Sequence, residues 1–191
     1  WKFWIFGLDG TLTVPVHNFD GIRQELEVPN GEDILGFVAK QTPSKQKELL
    51  DRLNKIEVKL ADISKPSEGA VKLISILAKK GVKLGIITRN TKANARISLD
   101  KIGILTYFED KNILGREDAP PKPDPDGINT LLSDWKAEAS EAVMVGDYLF
   151  DLQAGKNAGT ATIHVDFRHN GDWKDLADIQ VQSLSELTEL F

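Results

Sequence analysis

The stretch that decides the fold is Trp4-Ile5-Phe6-Gly7-Leu8-Asp9-Gly10-Thr11-Leu12-Thr13. Its first part is a short apolar run that is consistent with a buried strand. Its second part contains an Asp-Gly pair, which on its own is typical of a turn. The stretch therefore indicates a strand that leads at once into a polar loop, and its function depends on the later segments of the chain.

Three later segments repeat this arrangement of an apolar run and a polar residue. The run 82–87 ends at Thr88, Lys122 lies in a proline-rich loop at 121–125, and Ala142-Val143-Met144-Val145 leads into Gly146-Asp147-Tyr148-Leu149-Phe150-Asp151. Each pattern alone is weak, because short patterns of common residues recur by chance. Four of them in order indicate a single functional site.

With these four motifs the chain resembles the haloacid dehalogenase superfamily, and among its members the cap-bearing phosphatases similar to phosphoglycolate phosphatases. Phosphatases of this superfamily begin with Asp-x-Asp-Gly-Thr, and here the pattern is Gly7-Leu8-Asp9-Gly10-Thr11. The second aspartate, the glycine and the threonine match, whereas the first aspartate is replaced by Gly7. The resemblance covers almost the whole chain.

The resemblance implies a role for each motif. The residue at position 7 would attack phosphorus and form an aspartyl-phosphate, which Gly7 cannot do because it has no side chain. Asp9 would be the general acid and base. Thr88 would donate a hydrogen bond to a phosphate oxygen, and Lys122 would supply positive charge to the phosphate and to the carboxylate at position 7.

The same resemblance implies a Mg²⁺ ion, which prefers oxygen ligands. Its ligands would be the missing carboxylate at position 7, the main-chain oxygen of Asp9, and Asp147, with Asp151 helping directly or through water. The loss of the first ligand should weaken the metal site. For the substrate, the candidates are the loop amides around Gly10 and Thr11 together with the side chains next to Thr88, namely Arg89 and Asn90. The alternative for each polar side chain is a solvated surface.

Four explanations of Gly7 stay open. They are an engineered substitution, a natural loss of catalysis, an error in the sequence, and a structural need for glycine. Glycine is favoured where the backbone has positive φ or approaches another group closely. The end of a buried strand has no evident need of that kind, because glycine weakens a strand.

Composition is that of an ordinary globular protein. The 191 residues are 41% hydrophobic, carry a net charge of −5 and include no cysteine. The mixed charges predict no nucleic-acid partner, and the lack of cysteine excludes disulfides and cysteine nucleophiles. No apolar run approaches the length of a membrane span, so we expect no membrane partner. A cytoplasmic location is expected by default, although the start at Trp1 leaves open an organelle reached after removal of a transit peptide. The sequence does not indicate the oligomeric state.

Alternating strands and helices predict an α/β fold, a doubly wound (Rossmann-like) parallel sheet. We assign 1–13 and 66–191 to this core and 14–65, which is polar and helical in about three pieces, to a small cap inserted after the first strand. In detail, we expect helix caps at Ser67 and Thr91, a short strand near Tyr107 and Phe108, and a capping box of Ser183 with Glu186 before the last helix.

The leading hypothesis is a magnesium-dependent phosphatase of a small phosphorylated metabolite, inactive or strongly impaired because of Gly7. A second is a catalytically silent protein that binds a phosphorylated ligand or acts as a regulator. A third is a phosphomutase, which would need a reusable aspartyl-phosphate and usually has a larger cap.

Overall fold

The computed structural model describes residues 1–167 and 173–190 and shows one six-stranded sheet with helices on both faces. The strands are β1 (Phe3–Phe6), β2 (Lys83–Ile87), β3 (Ile113–Leu114), β4 (Ala142–Gly146), β5 (Ala161–Val165) and β6 (Ile179–Val181). The helices are α1 (Phe19–Leu26), α2 (Ile34–Ala39), α3 (Pro43–Asp62), α4 (Ala70–Lys79), α5 (Lys92–Lys101), α6 (Asp126–Trp135), α7 (Leu149–Ala158) and α8 (Leu184–Thr188).

All neighbouring strands are parallel, in the order β3-β2-β1-β4-β5-β6. The chain moves outward from β1 in one direction and then returns to β4 on the other side of β1. The carboxyl ends of β1 and β4 therefore flank the point where a doubly wound sheet binds its ligand. The predicted fold class is confirmed.

Successive side chains of a strand point to opposite faces of the sheet, so each strand contributes to two hydrophobic cores. Trp4 and Phe6 of β1 pack with the apolar residues of α4, α5 and α8, whereas Ile5 packs with those of α6 and α7. These strand residues are almost fully buried. Burial on both faces explains why the strands read as continuous apolar runs in the sequence.

Helices α1, α2 and α3 form the cap and enclose a small core of their own. The core contains one apolar residue or more from each helix and from the loop between the first two: Ile22, Leu26, Val28, Ile34, Val38, Leu49 and Leu53. The two chain segments that join the cap to the sheet lie side by side. Val14 N donates to Lys65 O at 2.9 Å, and Ser67 N donates to Leu12 O at 2.9 Å.

Two local predictions are confirmed and two are wrong. Thr91 caps α5, and Ser183 forms the capping box of α8 with Glu186. The Tyr107 region is a 3-10 turn, and the strand comes later, at β3. Ser67 does not cap α4, since that helix begins after Gly69.

Gly69 has a φ of 82° and lies against the backbone of α8. A Cβ at this position would lie 2.2 Å from Ser185 N. Only glycine fits this approach, and the helix begins after it.

Candidate active site

The four motifs meet at the carboxyl ends of β1, β2 and β4, under the cap. A cavity of about 290 Å³ opens between them, which is the size of a site for a small molecule. Nine of the ten predicted site residues line it: Gly7, Asp9, Gly10, Thr88, Arg89, Asn90, Lys122, Asp147 and Asp151. Thr11, the tenth, is fully buried beneath the cavity.

The loop after β1 needs glycine at one of its two positions. Gly10 has a φ of 90°, and a Cβ there would lie 2.4 Å from Asp147 Oδ2. Gly7 does not have positive φ, and a Cβ there would meet only the side-chain atoms Thr11 Oγ1, at 2.9 Å, and Asp151 Oδ1, at 3.0 Å. No backbone atom opposes a side chain at position 7, but the buried side chains of Thr11 and Asp151 would have to shift to admit one.

Lys122 is buried, and its carboxylate partner is Asp151 instead of the carboxylate that the family pattern places at position 7. Its Nζ donates to Ile87 O at 2.8 Å and to Asp151 Oδ1 at 2.5 Å. Asp151 Oδ1 is the same atom that approaches the Cβ position of Gly7. The carboxylate of Asp151 therefore lies beside the space that a side chain at position 7 would occupy, and it neutralises Lys122 from there.

Asp147 is held in place by the threonine of the first motif. Thr11 Oγ1 donates to Asp147 Oδ1 at 2.7 Å, so the proton of this hydroxyl is used within the site. Burial, and then the charge of Asp151, raise the pKa of Asp147 to about 7. Two carboxylates close together in a buried site favour either a proton or a cation between them.

Asn90 connects the second motif to the first. Its Nδ2 lies 3.3 Å from Asp9 Oδ2, and its backbone N–H donates to Thr88 Oγ1 at 3.0 Å. Its Oδ1 accepts from Thr91 N at 2.8 Å and from Asn94 Nδ2 at 2.9 Å. Asn90 is thus a buried positioning residue, and the Thr88 hydroxyl still has its proton to donate.

Two ion pairs between cap and core border the cavity, and only one of their four residues, Arg89, was a site candidate on sequence grounds. Arg89 Nη2 donates to Asp33 Oδ2 at 2.7 Å, and Arg116 Nη2 lies 2.8 Å from Glu57 Oε2. Both side chains of the second pair are about nine-tenths buried. Burial raises the pKa of Glu57 more than Arg116 lowers it.

The sequence does contain a signal for Glu57. Leu49, Leu53, Glu57 and Ala61 are the buried residues of α3 and recur every four positions. A carboxylate in an apolar stripe indicates a buried partner.

Across residues 1–167 and 173–190, no three histidine, aspartate or glutamate side chains form a group that could hold a metal ion. Asp147 and Asp151 supply two carboxylates to the cavity. Mg²⁺ commonly binds through one or two carboxylates together with substrate phosphate and water. These two carboxylates are therefore compatible with a cation that obtains its other ligands from phosphate and solvent.

None of the helices in the described part of the chain is both long and apolar enough to cross a membrane.

The chain can be compared with known proteins. The family model described as haloacid dehalogenase-like hydrolase matches residues 21–165. An uncharacterized hydrolase of Saccharomyces cerevisiae is 32% identical, over 97% of this chain and 88% of its own length. A pyrophosphatase of Listeria welshimeri is 30% identical over 95% and 90% of the two chains.

Among solved structures, a predicted phosphoglycolate phosphatase from Haemophilus somnus superposes with a TM-score of 0.78. Its sequence is 17% identical, and the match covers 100% of this chain and 97% of that one. This likeness concerns the fold, including the helical insertion after β1. The family model and the two relatives go further, and from them it follows that this chain is a member of the haloacid dehalogenase-like hydrolase family.

Proposed function

We propose that the chain carries the site of a magnesium-dependent phosphomonoesterase without its nucleophile. It binds the phosphate of a small phosphorylated metabolite and hydrolyses the ester very slowly or not at all. The observation that carries the proposal is Gly7, a position without a side chain in an otherwise complete site. The relatives support the phosphatase class, since one is a pyrophosphatase.

Each remaining residue has a task in phosphate binding. Lys122 supplies a buried positive charge, and Thr88 has a hydroxyl proton free to donate. The amides of the loop that contains Gly10 supply further donors, as loop N–H groups do in anion sites. Phosphoryl transfer needs mainly such positioning and charge neutralisation, so the cradle is useful even without a nucleophile.

Asp9 is the candidate acid and base. Its carboxylate is oriented by the amide of Asn90 and faces the cavity. From there it would protonate the leaving oxygen and then activate water, if an aspartate at position 7 had accepted the phosphoryl group. With Gly7 there is no acceptor for that group.

The metal would be held by Asp147, Asp151 and the main-chain oxygen of Asp9. A Mg²⁺ bound there would neutralise charge on the phosphoryl oxygens. Asp151 would have to divide its interactions between the ion and Lys122. This competition is a second reason to expect weak activity.

The test is hydrolysis of p-nitrophenyl phosphate with Mg²⁺ by the chain as it stands, by Gly7→Asp and by Gly7→Asn. Asparagine has the size of aspartate but is a very poor nucleophile. We expect only Gly7→Asp to turn over, at least ~10³-fold faster than the others, as for the loss of an essential catalytic group. Equal rates for all three would show that position 7 is not the nucleophile.

A second candidate is a catalytically silent binding or regulatory protein. The contact that favours it is the pair of Asp151 with Lys122, which neutralises the site without any residue at position 7. In the same experiment, this candidate gains if Gly7→Asp stays inactive while all three chains bind inorganic phosphate. A mutase is less well supported, because it would also need an aspartyl-phosphate at position 7.

A further inference from the structure

Arg89 lies next to the place where a bound phosphate would end. It comes directly after Thr88, so their Cα atoms are about 3.8 Å apart. Arg89 lines the same cavity as Thr88 and Lys122, and it contacts the cap through Asp33. A ligand with its phosphate on Thr88 and Lys122 would therefore lie in the cavity that Arg89 also lines.

The guanidinium of Arg89 is held in place by its neighbours, but within the described part of the chain not all of its N–H groups have a hydrogen-bond acceptor. Its Nη2 donates to Asp33 Oδ2 at 2.7 Å, and its central carbon lies 4.8 Å from the centroid of the Phe150 ring. Its Nε is buried and has no hydrogen-bond acceptor among the described residues. This atom is shielded from the cavity, but the Arg89 side chain as a whole is a quarter exposed and lines the cavity, so other N–H groups of the guanidinium can meet a ligand.

Asp33 stays ionised and is the carboxylate partner of Arg89 at this wall. Burial would raise the pKa of Asp33, but the hydrogen bond and charge of Arg89, with the charge of Arg23, outweigh it and hold that pKa below its ordinary value. Arg23 has a carboxylate of its own, because its Nη1 donates to Asp20 Oδ1 at 3.0 Å. The nearby Glu57 has its own partner in Arg116.

We propose that Arg89 binds a second anionic group on the ligand, a carboxylate or a second phosphate carried by the leaving group. The planar fork of arginine matches both groups. Phe150 and Asp33 hold the fork in place, so little conformational freedom is lost on binding. This inference rests on the proposed function, because it takes the phosphate end of the ligand to lie at Thr88 and Lys122.

The test uses three phosphonates that cannot be hydrolysed and differ only at the far end. Propylphosphonate ends in a methyl group, 3-phosphonopropanoate in a carboxylate, and ethane-1,2-diphosphonate in a second phosphonate. Their affinities, with that of inorganic phosphate, are measured by titration calorimetry on the unaltered chain, Arg89→Met and Arg96→Met. Arg96 is the matched control, since it pairs with Asp110 on the surface, outside the cavity.

We expect the unaltered chain to prefer at least one of the two phosphonates that carry a second anionic group. Its affinity for that compound should exceed its affinity for propylphosphonate by about tenfold or more, as for one charged hydrogen bond. Arg89→Met should lose this preference and Arg96→Met should keep it. The compound that binds more tightly shows whether the second anionic group of the ligand is a carboxylate or a phosphate. If Arg89→Met does not fold, Arg89→Lys serves instead, and its preference should fall at least threefold because the fork is lost.

Two results would overturn the inference. One of them leaves the proposed function intact, and the other refutes it as well. Phosphate binding without any preference among the phosphonates, or a preference that persists in Arg89→Met, refutes the role of Arg89 alone. No binding of phosphate or of any phosphonate by the unaltered chain refutes the proposed function as well.

Discussion

The two ends of the cavity are built in different ways. At the sheet end, every charged group is fixed by a buried partner from the same core, as Lys122 is by Asp151 and Asp147 by Thr11. At the cap end, charges from the core meet charges from the cap, as Arg89 meets Asp33. The sheet end is thus a rigid receptor for a constant group, whereas the cap end depends on how two bodies meet and can vary with the ligand.

The difference between the two ends is tested most strongly at Lys122. Replacing it by methionine leaves Asp151 buried and unpaired, which should lower the free energy of unfolding by about 3–5 kcal/mol. Urea denaturation measures the loss. The double variant Lys122→Met with Asp151→Asn should recover most of it, because no charge is left alone. Lys156→Met, at a surface pair with Asp178, is the control and should change little.

If Lys122→Met and Lys156→Met cost the same, the rigid sheet end would be refuted.

Gly10→Ala should have the next largest effect. Alanine there suffers both from a φ of 90° and from the carboxylate of Asp147. Gly31→Ala is a matched control, because Gly31 has a φ of 80° and nothing within 4 Å of its Cβ position. We expect about 1 kcal/mol of destabilisation at Gly31 from the backbone alone and roughly 2–3 kcal/mol at Gly10.

Thermal or urea unfolding of the two alanine variants gives the difference. An equal cost at both positions would mean that Asp147 moves away freely, so that the first loop is softer than proposed.

Glu57 makes the cap end sensitive to pH. Burial raises its pKa in the folded chain above the ordinary value of 4.5. The folded state therefore binds more protons than the unfolded state, and the contribution of Glu57 to stability is full below pH 4.5 and is lost as pH rises through the folded pKa. The stability of Glu57→Gln relative to that of the unaltered chain should therefore increase as the pH rises above about 4.5.

The measurement is the free energy of unfolding of both proteins at several pH values. Glu141→Gln is the control. The hydrogen bond from Lys2 lowers the pKa of Glu141, so its contribution changes only below pH 4.5. A flat difference between Glu57→Gln and the unaltered chain would contradict a strained carboxylate at the cap end.

The smallest effect is expected at Asp33. Asp33→Asn keeps an oxygen that can accept from Gly36 N at the start of α2 but removes the charge that faces Arg89. Because the pair is partly exposed, stability should fall by less than about 1 kcal/mol. Asp33→Ala also removes the helix cap, which should cost about 1 kcal/mol more. Thermal unfolding distinguishes the two, and a large loss in Asp33→Asn would make this pair a structural element of the cap.

The residues of the sheet end could be predicted from the sequence because each of them belongs to a local motif. Each motif stands directly after its strand, and parallel strands bring their carboxyl ends together. The partner of Lys122 was predicted only in part: with no carboxylate at position 7, nothing in the sequence indicates that Asp151 lies beside that empty place. Likewise, the role of Thr11 depends on the distance to Asp147 across the sheet.

The cap end was far less open to prediction. The pairs of Arg89 with Asp33 and of Arg116 with Glu57 join residues 56 and 59 positions apart. No local pattern specifies such contacts. The strand β6, three residues long, was also missed, since so short an edge strand has too few residues for a pattern.

The paired linkers of the cap have a consequence for protein engineering. Where Val14 hydrogen-bonds to Lys65 and Ser67 to Leu12, the two strands of chain are separated by only about 5 Å, the spacing of paired backbones. Whatever lies between them is therefore a loop in the topological sense, however many helices it contains. A cap from another member of the family, or a short turn, could be grafted between the linkers without altering the register of the sheet. Such a graft would exchange the residues that the cap contributes to the cavity, such as Asp33, and would leave Arg89 of the core in place.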